Sequence, residues 1–326
     1  MNRLSHHFAI ASSLLALVVG CTAEPRDTLS RDEGNGHGCP PQECGVNGVY
    51  LAETHFGPLR LDGTPNARSF AIVDFVDRSG RSLALDVRAG FLVGLARESG
   101  DMLVHGDAVA GSEIVLVDAA HREWTLTVHS LVALPHTSDE PGSVPGYRIS
   151  ARGPTGAVGK ATPLCRDGES ALLIAGQESR DPVTLTAHDA GHRSFTLACT
   201  DHLLGKARRM SYDPDRAPDH PRSTTSGQRT ATLRMLRADY CGTGQSFTRP
   251  GVPVKWQNRA GWMPYGRAPA AHLVAAAWDR HGATCMNHPR LPDWYARSDI
   301  EASCGRDIPR CNPQIVAGSE WVSWRP

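Results

Sequence analysis

Residues 70–87 have the sequence FAIVDFVDRSGRSLALDV, and this stretch contains the pattern that decides the fold class. Residues 70–76 form an apolar run, and residues 83–87 alternate between apolar and polar side chains. The residues between them, 77–80, are of the types that favour a tight turn between antiparallel strands. The stretch therefore predicts a β-hairpin.

The same kind of pattern extends outward over residues 47–152. Trp124, Leu126 and Val128 alternate with polar neighbours. Because successive side chains on a strand point to opposite faces, these three residues are expected to share a core face. Residues 47–152 are predicted to form a small β sandwich or barrel. His129, on the polar face, is interpreted as a surface histidine.

Residues 153–326 have a mixed pattern and contain six of the nine cysteines. Residues 194–200 and 272–278 predict strands. Residues 230–240 place apolar side chains at helical spacing. The predicted fold class is α+β and β-rich. In this prediction, a small N-terminal β sandwich or barrel precedes a disulfide-stapled α+β domain.

The first residues are typical of an exported protein. Residues 1–20 resemble a signal peptide, with Arg3 as the positive start and residues 8–19 as the apolar segment. That segment is shorter than the about 20 residues needed to span a bilayer. It ends in VVGC at Cys21, which resembles a bacterial lipobox. Cys21 is therefore expected to carry acyl chains such as palmitate; an ordinary secretion signal with a chance cysteine is the alternative.

Residues 21–46 are expected to comprise the lipidated cysteine and a flexible tether rich in Gly, Pro and charge. The expected location is the cell envelope, with the membrane as a partner through the lipid anchor. Thr22 stands where an Asp would retain some lipoproteins at the inner membrane. This favours the outer membrane.

The remaining cysteines form an even set, which in an oxidising compartment indicates disulfide bonds. A zinc site is the rival interpretation, but the sequence has no CxxC pair, so neither a metal nor another cofactor is predicted. Cys39 and Cys44 are close enough in sequence to close a local loop, and the pairing of the others is left open. The disulfide candidates are Cys39, Cys44, Cys165, Cys199, Cys241, Cys285, Cys304 and Cys311.

The charge balance argues against nucleic acid as a partner. Lys plus Arg number 34 and Asp plus Glu number 34, so the chain has no net field that would attract a polyanion. Nucleic-acid binding is therefore not expected.

Residues 237–242, RADYCG, resemble the signature of the ADYC-domain family, which comprises exported bacterial proteins, often lipoproteins, known from myxobacteria. Other segments agree with the family in the expected order over residues 160–290. These are Pro163–Cys165, Phe195–Thr200, Gly205-Lys206, Arg234-Met235, Ala277-Trp278 and Gly282–Cys285. The resemblance implies a fold and an exported location. It implies no mechanism, because the family has no established activity.

Ala207 and Thr232 occupy two places where members of this family often have cysteines. The loss of both together indicates that these two cysteines pair with each other in other members, so that this chain lacks one bridge and keeps no odd thiol.

Asp239, Tyr240 and Arg237 are the catalytic candidates, because a thiolate at Cys241 would need a nearby base or positive charge. A structural interpretation competes with this catalytic one. An oxidised Cys241 is no nucleophile. In that case Asp239 would pair with Arg237 or with backbone amides, and Tyr240 would fill a core contact. Ser246 lies in GQSFT, which lacks the last Gly of a nucleophile elbow.

Two function classes follow from these observations. The first is a non-catalytic binding or structural module of the envelope, with a protein or glycan partner that exposed tryptophans would favour. The alternative is an extracellular hydrolase or transferase with a site near Asp239, which a cleft with converging Asp, His and Arg would favour.

Overall fold

The computed structural model describes residues 45–46, 56, 58–154, 161–166, 168–178, 188–189, 193–249, 251–262 and 268–325. Cys21, the predicted tether up to residue 44, Cys39 and Cys44 lie outside these residues. All the described residues belong to one unit, Gly38–Pro326. No described helix combines the length and the apolar character needed to cross a membrane.

The described part of the chain is α+β and rich in strands, as the sequence predicts. The strands are β1 (Gly45–Val46), β2 (Leu59–Arg60), β3 (Ala71–Val76), β4 (Ser82–Arg88), β5 (Phe91–Leu95), β6 (Met102–His105), β7 (Glu113–Val117), β8 (Glu123–Pro135), β9 (Ser143–Arg152), β10 (Thr162–Pro163), β11 (Ala171–Ala175), β12 (Gln177–Glu178), β13 (His188–Asp189), β14 (Ser194–Cys199), β15 (Pro253–Asn258), β16 (Ala276–Asp279), β17 (Gly282–Met286) and β18 (Trp321–Trp324). The α-helices are α1 (Leu203–Arg209), α2 (Ser226–Arg237), α3 (Arg297–Cys304) and α4 (Pro313–Gly318).

The predicted hairpin is confirmed as β3 and β4. The Asp77 carboxylate closes its turn by accepting hydrogen bonds from the backbone amides of Ser79 and Arg81, at 2.9 and 3.0 Å. Gly80 has a φ of +84°, which is the left-handed conformation that favours glycine at such a turn.

Most strands form one large antiparallel sheet with the order β2-β14-β11-β9-β8-β7-β3-β4-β5-β6, and β10 also pairs with β9. The sheet curls over itself and brings β9 close to β5. The Tyr147 hydroxyl on β9 accepts a hydrogen bond from the Leu92 amide on β5, at 2.9 Å. Side chains from both ends of this order share one core. Two of its strands, β11 and β14, come from beyond residue 152, where the sequence predicts a domain boundary.

A second sheet has the order β1-β15-β18-β16-β17. Helix α2 packs against it, and both contribute to a second core that contains Leu233, Trp278 and Trp321. Strand β11 serves both cores. Leu173 points into the first core and Leu172 into the second, and every residue of the strand is buried. The large sheet therefore stands between the two cores.

Candidate functional site

The signature begins at the end of α2. The helix starts at a capping box in which the Thr225 hydroxyl accepts from the Gln228 amide while the Gln228 side chain accepts from the Thr225 amide. It stops at Ala238, which has a φ of +53°. This left-handed residue turns the chain away from the helix axis. We call residues 238–244 the signature loop.

Asp239 holds the signature loop closed. Its carboxylate is fully buried and accepts from the Arg234 guanidinium at 2.7 Å. It also accepts from the backbone amides of Thr243 and Gly244, at 3.1 and 2.9 Å. Arg234 is the ion-pair partner, on the turn of α2 that precedes Arg237. A carboxylate with all these bonds in a buried position organises the loop and offers no surface to a substrate.

Tyr240 fills the second core. The ring is 1% exposed and packs on Trp278 at a centroid distance of 4.8 Å. The hydroxyl accepts from the Arg290 amide at 2.8 Å, and burial raises the pKa of Tyr240. Arg290 in turn donates to the Met235 and Leu236 carbonyls at the end of α2, at 2.7 and 3.1 Å. The tyrosine therefore joins the helix end to the core.

The last two signature residues attach the loop to its neighbours. Cys241 forms a disulfide with Cys304 of α3, which removes the thiolate that a nucleophile needs. Gly242 has a φ of +75°, and a Cβ atom there would collide with the His281 carbonyl in the β16–β17 turn. The close approach of the loop to this turn explains why glycine is required.

The structure does not bring the catalytic candidates together in an open site. Asp239 and Tyr240 are buried, while Arg237 is half-buried and burial lowers the pKa of its guanidinium. The Ser246 hydroxyl lies within hydrogen-bond distance of the Arg237 and Thr248 carbonyls, at 3.1 and 3.2 Å. Each of these residues has a structural role in the arrangement observed.

The described cysteines are paired as Cys165–Cys199, Cys241–Cys304 and Cys285–Cys311. Ala207 and Thr232, the two places that the resemblance marks as cysteine positions, are buried on α1 and α2, which pack against each other. Among the described residues, Cys165, Glu169 and Cys199 form a group with the spacing of metal ligands. Their two sulfurs are bonded to each other, so they do not supply thiolate ligands in this state.

A cavity of about 200 Å³ lies against strands β9 and β10 and the segment that follows them. We call it the sheet cavity, and its polar lining residues are His129, Arg148, Ser150, Arg166 and Glu169. The sequence pattern assigns His129 only to a polar face. The residues that surround it come from another strand and from a loop, so no local pattern could have identified the cavity.

Two other openings are present among the described residues. A shallow cleft of about 440 Å³ lies at the start of α2, where Gln228 donates to the half-buried carboxylate of Glu320 at 3.3 Å. Burial raises the pKa of Glu320. An apolar depression of about 270 Å³ is lined by Leu273 and Trp324. The cleft has the most polar lining residues of the three, and the sheet cavity is the more enclosed of these two polar openings.

Comparison with known proteins gives one match. A profile of the ADYC domain matches residues 106–292. This range includes the signature loop and the sheet cavity, and it begins about 50 residues before the resemblance read from the sequence. No curated protein and no solved structure shows significant similarity to the chain.

Proposed function

We propose that this chain, which belongs to the ADYC domain family, is a lipid-anchored cell-envelope protein that acts as a non-catalytic binding or structural module. Acyl chains on Cys21 would attach it to the outer membrane, and residues 22–46 would serve as the tether. Its partner would be a protein or a glycan.

The observation that carries this proposal is that the signature residues are buried or bonded within the protein. Asp239 is fully buried in an ion pair, Tyr240 is 1% exposed, and Cys241 is oxidised. A catalytic group must reach its substrate, whereas these side chains contact only the protein. The three disulfides of the described region also favour an oxidising compartment.

The tryptophans contribute mainly to stability. Trp278 and Trp321 are fully buried, whereas the side chain of Trp294 is 60% exposed. The Arg249 guanidinium lies 4.8 Å from the centroid of the Trp294 ring. The cluster of exposed tryptophans that would have marked a partner surface is therefore not formed, and recognition must use other groups.

Two measurements on the protein from a bacterial host test the proposal. Metabolic labelling with an alkyne fatty acid should mark the wild-type chain, which should sediment with membranes, whereas Cys21→Ala should be unlabelled and soluble. An unlabelled wild-type chain that keeps its original N-terminus would overturn the anchor. The matched control is Thr22→Ala, which changes the next residue and should leave the labelling unchanged.

A thiol count tests the non-catalytic part. The denatured, unreduced protein should react with no thiol reagent. A free Cys241 would contradict the proposal, because it would restore a nucleophile beside Asp239 and Arg237.

A further inference from the structure

The sheet cavity contains a carboxyl group that lies beside a second one. Glu169 lines the cavity, and its Oε2 atom is buried. Its carboxyl group forms a side-chain hydrogen bond with Asp201, and burial together with Asp201 raises the pKa of Glu169. Two neighbouring carboxyl groups that share a proton resist being ionised together. A carboxyl group of this kind at a cavity wall can exchange hydrogen bonds with a ligand hydroxyl.

Cationic groups line the same cavity. Arg148 is held in place by donating to the Glu169 carbonyl and, at 3.4 Å, to the Gly168 carbonyl. Arg166 is exposed at the cavity and acts electrostatically on Glu169. Guanidinium groups pair well with carboxylates, because their N–H fork matches the two oxygens. The cavity thus offers donors for an anion next to a carboxyl group that can bond to a hydroxyl.

Ser150 and His129 add a hydrogen-bonded pair. The Ser150 hydroxyl lies 2.7 Å from His129 Nε2, and both residues line the cavity. His129 stands where the pairing of β8 with β9 shifts register between Val128 and Ser130. Such a bulge re-aims the side chain of the extra residue. When His129 Nε2 carries the proton and donates to Ser150, the serine hydroxyl hydrogen can bind an acceptor in the cavity.

We propose that the sheet cavity binds a small hydroxylated carboxylate, of the uronic acid type, carried on a glycan of the cell envelope. Arg166 and Arg148 would meet the carboxylate, and Glu169 would accept from a ligand hydroxyl. A volume of about 200 Å³ is below the range of about 300–1,000 Å³ typical of drug-sized ligands, so it suits one sugar ring. This inference rests on the proposed binding role and names its site.

The charges of the cavity favour a single negative charge on the ligand. Glu169 and Asp201 are close to each other, and Lys206 and Arg166 act on the same carboxyl group. The two carboxyl groups offset part of the attraction of the cations, and a dianion such as phosphate loses more hydration on entering the cavity than a monoanionic carboxylate does. Glucose has the hydroxyls without the charge and should therefore bind more weakly than glucuronate.

The test is calorimetric titration of the full lipidated chain in detergent micelles with sodium glucuronate, glucose and inorganic phosphate. We expect saturable millimolar binding of glucuronate, with glucose and phosphate at least about tenfold weaker. Arg166→Met should weaken glucuronate binding by about tenfold or more. Because Arg166 is exposed, this variant should keep the wild-type Tm.

Arg152→Met is the matched control, since Arg152 is an exposed arginine of β9 that does not line the cavity. It should bind glucuronate like the wild type. Absence of glucuronate binding, equal binding in both arginine variants, or a preference for phosphate would each overturn the inference. The acylation experiment is independent: a lipidated chain without glucuronate binding refutes only this site, and a binding chain without lipid refutes only the anchor.

Discussion

The structural role of Asp239 predicts a large loss of stability when its charge is removed. In Asp239→Asn, an amide group replaces one of the two carboxylate oxygens that accept from Arg234, Thr243 and Gly244. An amide nitrogen cannot accept these hydrogen bonds. The Arg234 side chain is only 9% exposed, so its charge would remain in the protein interior without the carboxylate that balances it.

The size of the stability loss follows from the burial of Arg234 and Asp239. Removing one partner of a buried ion pair costs about 3–5 kcal/mol, against a total stability of about 5–15 kcal/mol for a folded domain. For a chain of this size, we expect Tm to fall by roughly 10 °C. Arg234→Met combined with Asp239→Leu should lose less than the sum of the two single variants, because no isolated charge stays buried.

The assay is equilibrium unfolding in urea without reductant, followed by tryptophan fluorescence. Asp219→Asn is the control: Asp219 is exposed, and the change should stay within about 0.5 kcal/mol. A cost below about 1 kcal/mol for Asp239→Asn would refute the reasoning, because the ion pair between Arg234 and Asp239 would then contribute little to stability.

Three further predictions concern stability. Gly242→Ala should destabilise the protein by about 1–3 kcal/mol more than Gly251→Ala in urea unfolding. Both glycines have a positive φ, but of the two only Gly242 lies against a carbonyl. Equal costs would contradict the close approach of the signature loop to that carbonyl. Cys241→Ser with Cys304→Ser should lower the free energy of unfolding by about 4 kcal/mol, since the bridge spans 63 residues, and an unchanged urea midpoint would count against it. Burial lowers the pKa of Lys206 from 10.5 to about 8. The unfolded chain therefore binds a proton between these pH values that the folded chain lacks, so stability should increase as pH rises from about 8. Lys206→Met should abolish that increase, and an identical pH profile would show that another group is responsible.

Local features were predictable from the sequence. The β3–β4 hairpin depends on its own turn residues. The strand predicted over residues 272–278 forms only in part, as Ala276–Asp279, because residues 271–273 form a 3-10 turn. Helix α2 starts four residues before the predicted residue 230, because the capping box at Thr225 decides its start. It ends three residues before Tyr240, since Ala238 is left-handed.

Features that depend on long-range pairing could not be read from local patterns. The large sheet continues past residue 152 because β11 and β14 pair with each other and β11 pairs with β9. Periodicity identifies such strands and does not reveal their neighbours. The sheet cavity has the same origin, since Ser150 and His129 meet only through the register of β8 and β9. The backbone amides that bond to Asp239 were expected, whereas Arg234 was not, because Arg234 and Arg237 are both within reach by spacing alone.

Strand β11, which is covered on both sides, has a consequence for the newly made chain. Residues 56–154 leave the ribosome before residues 171–199, yet the first core needs Leu173 and Phe195 to close. Until then, the early strands expose an apolar surface of the kind that chaperones recognise. A truncation at residue 152 would make that condition permanent, and the shortened product should aggregate or be degraded.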